Sequence, residues 1–257
     1  MKVAEGYLLP LLVETAFILA LLVVMHRAKR GLKAPRIRRV PGIDAIEEAI
    51  GRATEMGRPV HFTPGIGDFG EPMTLAALSI LRYVAILAAR YDTRLIVTNR
   101  NPSIHPVAES IVKDAFTAEG KASSFLAQDI RFLSSDQFGY ASGVVGIMHR
   151  EKVAVNLMFG LFYAESLIFA EAGNQAGAVQ IAGSAYIYQI PMFVVACDYT
   201  LIGDELYAAS AYLSQDPSLI ANLAAQDWGK MFAALVIVIG VILKTLGNDV
   251  VLKLLSR

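Results

Sequence analysis

The chain of 257 residues is 55% hydrophobic and 18% charged, and its formal net charge is zero. Soluble domains carry about 25% charged residues, so this composition holds an apolar surplus beyond one soluble core, and its neutrality gives no global pull toward nucleic acid. A single cysteine, Cys197, excludes an intrachain disulfide and a cysteine-based zinc cluster and is consistent with a reducing compartment.

Residues 7–25 are almost wholly apolar, interrupted by Pro10 and Glu14. At 1.5 Å per residue such a run crosses a hydrocarbon core of about 30 Å. A cleaved signal peptide carries its basic residues before the apolar run. Here Arg27, Lys29, Arg30, Lys33, Arg36, Arg38 and Arg39 follow it. The expectation is a transmembrane helix in 1–26, with its N-terminus outside by the positive-inside rule, and a basic juxtamembrane linker in 27–40. That linker also suits anionic lipid, at about 1 kcal/mol per basic residue.

Pro41 then opens a helical pattern with Ile43, Ile46, Ile50 and Ala53 on one face and Gly57 at its end. A short strand at 60–63 runs into Thr-Pro-Gly-Ile-Gly-Asp-Phe-Gly, ending at Gly70, and Glu71 and Pro72 start an apolar helix over 73–89 that carries only Arg82 as a charge. This helix reads as one enclosed by a sheet, with a third membrane span as the alternative. Further strands are expected at 94–98, 130–133, 153–157, 178–182 and 192–197, and further helices at 106–118, 137–148, 163–173 and 204–213. Strands that are continuous apolar runs and alternate with helices predict an α/β fold. The expected architecture is one cytoplasmic Rossmann-like domain over 41–226, a mostly parallel sheet with helices on both faces.

A second span is expected within 227–247, where Lys230 and Lys244 flank the apolar stretch 231–246, followed by a tail at 248–257. The stretch is short, so a membrane-surface or partner-packing helix is the alternative. Between residues 153 and 229 there is no lysine or arginine, while Glu165, Glu171, Asp198, Asp204, Glu205, Asp216 and Asp227 all lie there. An acidic half cannot hold a polyanion, which counts against nucleic-acid binding. Opposite charge on the preceding half allows copies to dock head to tail, giving a homo-oligomer.

Chemistry has few candidates. Gly65, Gly67 and Gly70 take the G-x-G-x-x-G spacing that lets a backbone approach a phosphate at a helix N-terminus. Asp68 within that turn and Glu71 just after it repel a pyrophosphate, and the second strand ends in Asn99 and Arg100 where a dinucleotide fold places an acid for the ribose. Arg100 suits a phosphate, so a small-molecule ligand is allowed and no cofactor is specified. Asp198, expected to close the last strand, is a candidate for a cation or hydroxyl-bearing ligand. His26, His61, His105 and His149 are scattered, with no i, i+4 pair that predicts a metal site.

The sequence from Thr63 to Gly70, the Val-Thr-Asn-Arg segment ending at Arg100, and the flanking apolar runs resemble an uncharacterised family of prokaryotic membrane proteins, defined only as a domain of unknown function. The resemblance covers most of the chain and implies a bacterial or archaeal membrane protein without implying an activity. The expected function is a membrane-anchored, self-associating scaffold or ligand-sensing module without catalysis. The alternatives are a membrane-tethered nucleotide-binding enzyme that uses the Gly65 to Gly70 turn, and a transporter or channel subunit built around Glu14 and Lys244.

Overall fold

The computed structural model describes residues 8–29 and 41–247, so most of the linker expected at 27–40 and all of the tail expected at 248–257 lie outside the described residues. Two compact units divide the chain, Arg38–Ser214 and the terminal segments Met1–Ile37 with Gln215–Arg257. In chain order the helices and strands are α1 (Leu8–Lys29), α2 (Pro41–Glu55), β1 (Val60–Gly65), α3 (Pro72–Arg90), β2 (Leu95–Asn99), α4 (His105–Ala118), β3 (Ile130–Phe132), α5 (Gln137–Glu151) and β4 (Val155–Leu161). They continue with α6 (Glu165–Ala176), β5 (Val179–Ser184), α7 (Ile190–Ala196), β6 (Tyr199–Ile202), α8 (Glu205–Ser214) and α9 (Pro217–Thr245).

The larger unit is an α/β fold around a six-stranded sheet in the order β3-β2-β1-β4-β5-β6. Every neighbouring pair is parallel. Strands of a parallel sheet are covered on both faces, which is why β1 and β2 are buried at every residue, with Val60, Phe62, Leu95 and Val97 apolar on one face and His61, Thr63 and Thr98 polar on the other. On one face Val60, Phe62, Leu95, Val97, Val155 and Leu157 pack with α2, α3, α4 and α8. On the other, Met158 and Ala182 pack with Tyr140, Val144, Phe169 and Phe193 from α5, α6 and α7. Each buried phenylalanine contributes about 1.5–3 kcal/mol. Phe162 ties this second core together, edge-on to both Phe169 and Phe193 at centroid separations of 6.5 and 5.5 Å.

The amino edge of the sheet is fastened by charge. Arg58 donates from Nε to the Lys152 carbonyl (2.5 Å) and from Nη2 to those of Val153 (2.9 Å) and Ala176 (2.7 Å). Arg94 grips the buried Asp129 with two bonds of 2.7 Å, and Arg94 and Arg131 both reach Glu151. The Arg94 contact holds the Glu151 carboxyl below the usual carboxylate range.

The strand expected at 192–197 is a helix. Pro191 occupies the first turn of α7, where its fixed φ and missing N–H are tolerated, and of its apolar residues Phe193 is buried while Val194 and Val195 are exposed. A short apolar run has no periodicity to separate strand from helix. The last strand follows it at Tyr199–Ile202 and forms a sheet edge. β4 also runs on to Leu161, beyond the expected 153–157, and β5 runs to Ser184.

Two helices among the described residues are long and apolar enough to cross a membrane, α3 and α9. Most of the apolar window of α3 is buried in the larger unit, which makes it a core helix and removes the third-span alternative. None of the corresponding window of α9 is buried. In the terminal unit α1 packs on α9, with the Phe17 ring where a Cβ on Gly229 would stand. Small residues at such crossings let helices approach closely.

Candidate functional site

The strand order reverses between β1 and β4, and in open α/β sheets ligands gather outside the carboxyl ends of the strands at such a point. The glycine turn leaves β1 there. Gly65 has φ +81°, and a Cβ on it would strike the Leu161 carbonyl oxygen of β4. A Cβ on Gly67 would stand 2.5 Å from Thr74 Oγ1 and 3.3 Å from Leu161 Cβ, whereas Gly70 has nothing within 4 Å. Two of the three glycines are therefore required by the chain's own close approach.

The turn is also bonded within the chain. Gly65 N–H donates to Thr63 Oγ1 (3.1 Å), Ile66 N–H to the Leu161 carbonyl (2.8 Å) and Glu71 N–H to the Asp68 carbonyl (3.0 Å). The neighbouring loop after β2 is latched to it, because Arg100 Nη1 donates to the Ile66 carbonyl (3.1 Å) and Asn101 Nδ2 to Asp68 Oδ1 (2.6 Å). The structure thus gathers Gly65, Gly67, Asp68, Gly70, Asn99 and Arg100 at one end of the sheet. Asp198 is elsewhere. It precedes β6 at the amino end, where its carboxylate accepts from Gln180 N–H (2.8 Å), so the expectation that it closes a strand at the ligand end is corrected along with the strand itself.

Beneath these loops a chain of hydrogen bonds crosses the sheet. His61, Asn156 and Gln180 share one row of the β1-β4-β5 register. Gln180 Nε2 donates to the Ala170 carbonyl (2.8 Å), Asn156 Nδ2 to Gln180 Oε1 (3.1 Å), and Asn156 Oδ1 faces His61 Nδ1 (2.9 Å). Asn156 therefore presents its oxygen to the imidazole, which places the proton on Nδ1 and leaves Nε2 to accept from the Thr98 hydroxyl at 2.9 Å. Burial lowers the His61 pKa to about 4, so the ring is neutral at pH 7. Tyr140 OH bridges Thr63 Oγ1 (2.7 Å) and the Thr98 carbonyl (3.1 Å), and burial pushes its pKa up to about 12. The charges of Glu165 and Arg100 act on that hydroxyl in opposite directions. Glu165 is fully buried and accepts from Gln137 Nε2 (2.5 Å) and Tyr163 N–H (2.8 Å).

Five buried side-chain polar atoms among the described residues have no hydrogen-bond partner, and all belong to this end of the fold: Thr74 Oγ1, Asn99 Oδ1 and Nδ2, Arg100 Nε and His105 Nδ1. Asn99 and Arg100 were sequence candidates. Thr74 and His105 were not, since an isolated threonine or histidine at a helix start carries no spacing signal. Among the described residues no group of three or more His, Cys, Asp or Glu side chains is placed to hold a metal ion. A cavity of about 200 Å³ lined by Arg94, Phe116, Phe125 and Asp129 lies at the amino end, away from these groups.

The model of a domain of unknown function, DUF6754, matches residues 4–255. The chain belongs to this family. No curated protein and no solved structure matches it. The DUF6754 match covers the terminal helices as well as the sheet, so both units belong to one family architecture.

Proposed function

We propose that this DUF6754 protein is a two-span, membrane-anchored module of prokaryotes that works by binding. Its α/β unit senses a small ligand on the cytoplasmic side, and its copies associate with one another without a reaction of their own. The observation that carries the anchoring is α9, a 29-residue apolar helix with none of its apolar window buried, beside a comparably apolar α3 that is enclosed by the sheet and its neighbours. The exposed Leu11, Ile18, Leu19 and Leu22 of α1 add a second apolar surface, and the basic run 27–40 expects the N-terminus outside.

Membrane fractionation tests this directly. The wild type should stay with the bilayer through high-salt and alkaline washes. Ile237→Arg combined with Val241→Arg places two charges, each costing about 2.5–3.5 kcal/mol at the centre of a span, and should move a large share of the chain out of the membrane fraction or block its insertion. A wild type stripped by salt alone overturns the anchoring. Association is supported by the cation-free stretch 153–229 and by Ile187, Tyr188, Val194 and Val195, all exposed near the edge strand β6. A monodisperse monomer in mild detergent overturns that part.

One observation favours a second reading. The order β3-β2-β1-β4-β5-β6 is the one doubly wound dinucleotide-binding folds take, which keeps a nucleotide-binding enzyme in view. Under the binding-module reading no mono- or dinucleotide raises the melting temperature through the glycine turn. Stabilisation by a nucleotide together with its turnover by the purified chain favours the enzyme instead.

A further inference from the structure

We propose that the corner between the first turns of α3 and α4, at the carboxyl ends of β1 and β2, binds a small ligand carrying a carboxylate or phosphate group with a hydroxyl beside it. This deepens the sensing reading above and rests on it. Buried polar groups in folded proteins are hydrogen-bonded, and a donor or acceptor buried without a partner costs about 1–3 kcal/mol. Elsewhere among the described residues that requirement is met, as the row from Gln180 to Thr98 and the doubly bonded Glu165 illustrate. At this corner five atoms are left unmet.

Their placement is coherent. β2 alternates, so Asn99 shares the face of Leu95 and Val97, which pack toward α3 and α4. Thr74 lies in the first turn of α3 and His105 opens α4. Both helices begin without a side-chain cap, at Glu71 and Ile104, and each carries a proline in its first turn. Asn101 takes the N–H groups of Ser103, Ile104 and His105 ahead of α4 and the Glu71 carbonyl takes those of Thr74 and Leu75, so what the two amino ends add is the dipole of each helix. Arg100, the next residue after Asn99, adds a full charge at the same end of the sheet: Nη1 donates to the Ile66 carbonyl, its charge also reaches Tyr140 of the other face, and Nε is buried and unpartnered.

The donor and acceptor inventory defines the ligand class. Arg100 Nε–H, the Asn99 amide N–H groups and the Thr74 hydroxyl donate, which suits the oxygens of an anion. Asn99 Oδ1 accepts, and so does His105 Nδ1 when its proton is on the other nitrogen, which suits a hydroxyl donor on the same molecule. A bare anion leaves Asn99 Oδ1 unmet, so a hydroxylated anion fits better than inorganic phosphate. Asp68 Oδ1 already accepts from Asn101 Nδ2, and the Glu71 side chain makes no cap hydrogen bond at the start of α3.

The test uses the full chain in detergent, titrated with inorganic phosphate, glycerol 3-phosphate, lactate and malate while the melting temperature is followed. One of the hydroxylated probes should stabilise the wild type by several degrees, and whether it is the phosphate ester or a hydroxy acid identifies the anionic group. Arg100→Gln should weaken that probe by about tenfold or more. Asn99→Leu replaces an unpaired buried amide with an apolar side chain of similar size, so it should abolish the response and raise the melting temperature of the free protein. No response from any probe, or a response that survives both substitutions, overturns the proposal, as does Asn99→Leu melting lower than wild type with no loss of probe binding. Release from membranes would refute the anchoring and leave these readouts unchanged, so the two failures are distinguishable.

Discussion

Alanine at Gly65 is expected to leave no stably folded α/β unit. The φ of +81° costs an L-residue about 1–2 kcal/mol by itself. The larger effect is steric, because the added carbon falls on the Leu161 carbonyl oxygen, a backbone atom held in the β1-β4 pairing, rather than on a side chain that rotates away. The reciprocal position is built the same way: Gly160 has φ +125°, and its Cβ would strike the Pro64 carbonyl. The two parallel strands approach so closely at this irregularity that each supplies a glycine. Either Gly65→Ala or Gly160→Ala should cost more than about 4 kcal/mol, the range reserved for disruption of the backbone or core. Gly70→Ala, with open space around it, should change stability by no more than about 0.5 kcal/mol. Circular dichroism melting of the three variants decides the matter. A folded Gly65→Ala beside an unfolded Gly70→Ala would reverse the reading of the glycine spacing.

Acid should weaken the larger unit through His61 before its carboxylates titrate. The imidazole has a pKa of about 4 in the folded chain against an ordinary 6.5, and burial is the main cause. Below pH 6.5 the unfolded chain takes up a proton that the folded chain refuses. Stability from this group is therefore complete above pH 6.5, falls as the pH drops from 6.5 toward 4, and is gone below that. The full amount is about 3 kcal/mol, at 1.36 kcal/mol per unit of pKa difference. Urea unfolding at pH 7.5 and 4.5 should show most of this loss in the wild type. His61→Gln, which cannot titrate, should start less stable and show a shallower pH dependence; an unchanged slope would remove His61 as the cause.

The fold was largely legible in the sequence where a physical requirement acts on a run of residues. Strands covered on both faces hold mostly apolar side chains, so β1, β2 and β4 show themselves although His61, Thr98 and Asn156 interrupt them, and the turn after β1 shows itself through glycines that no other residue replaces at Gly65. The stretch 192–197 defeats that logic, since an apolar run of six residues with a proline at its start suits a strand or one and a half turns of helix equally. The misplacement of Asp198 followed directly from it. The candidate site was half visible. Asn99 and Arg100 stand where a strand of this fold presents ligand contacts, whereas Thr74 and His105 matter only because helices α3 and α4 bring their first turns to the same end. The row of His61, Asn156 and Gln180 was invisible for a related reason: it depends on register across three strands that are distant in the chain.

The three carbonyls taken by Arg58 have a mechanical consequence. Two belong to the connection from α5 to β4 and one to the end of α6, so one guanidinium rivets two crossovers at a single rim of the sheet. A plate clamped along one rim bends at the other. The opposite rim is held by side-chain bonds between two loops, Arg100 to the Ile66 carbonyl and Asn101 to Asp68, so a shift of either loop pulls on its neighbour.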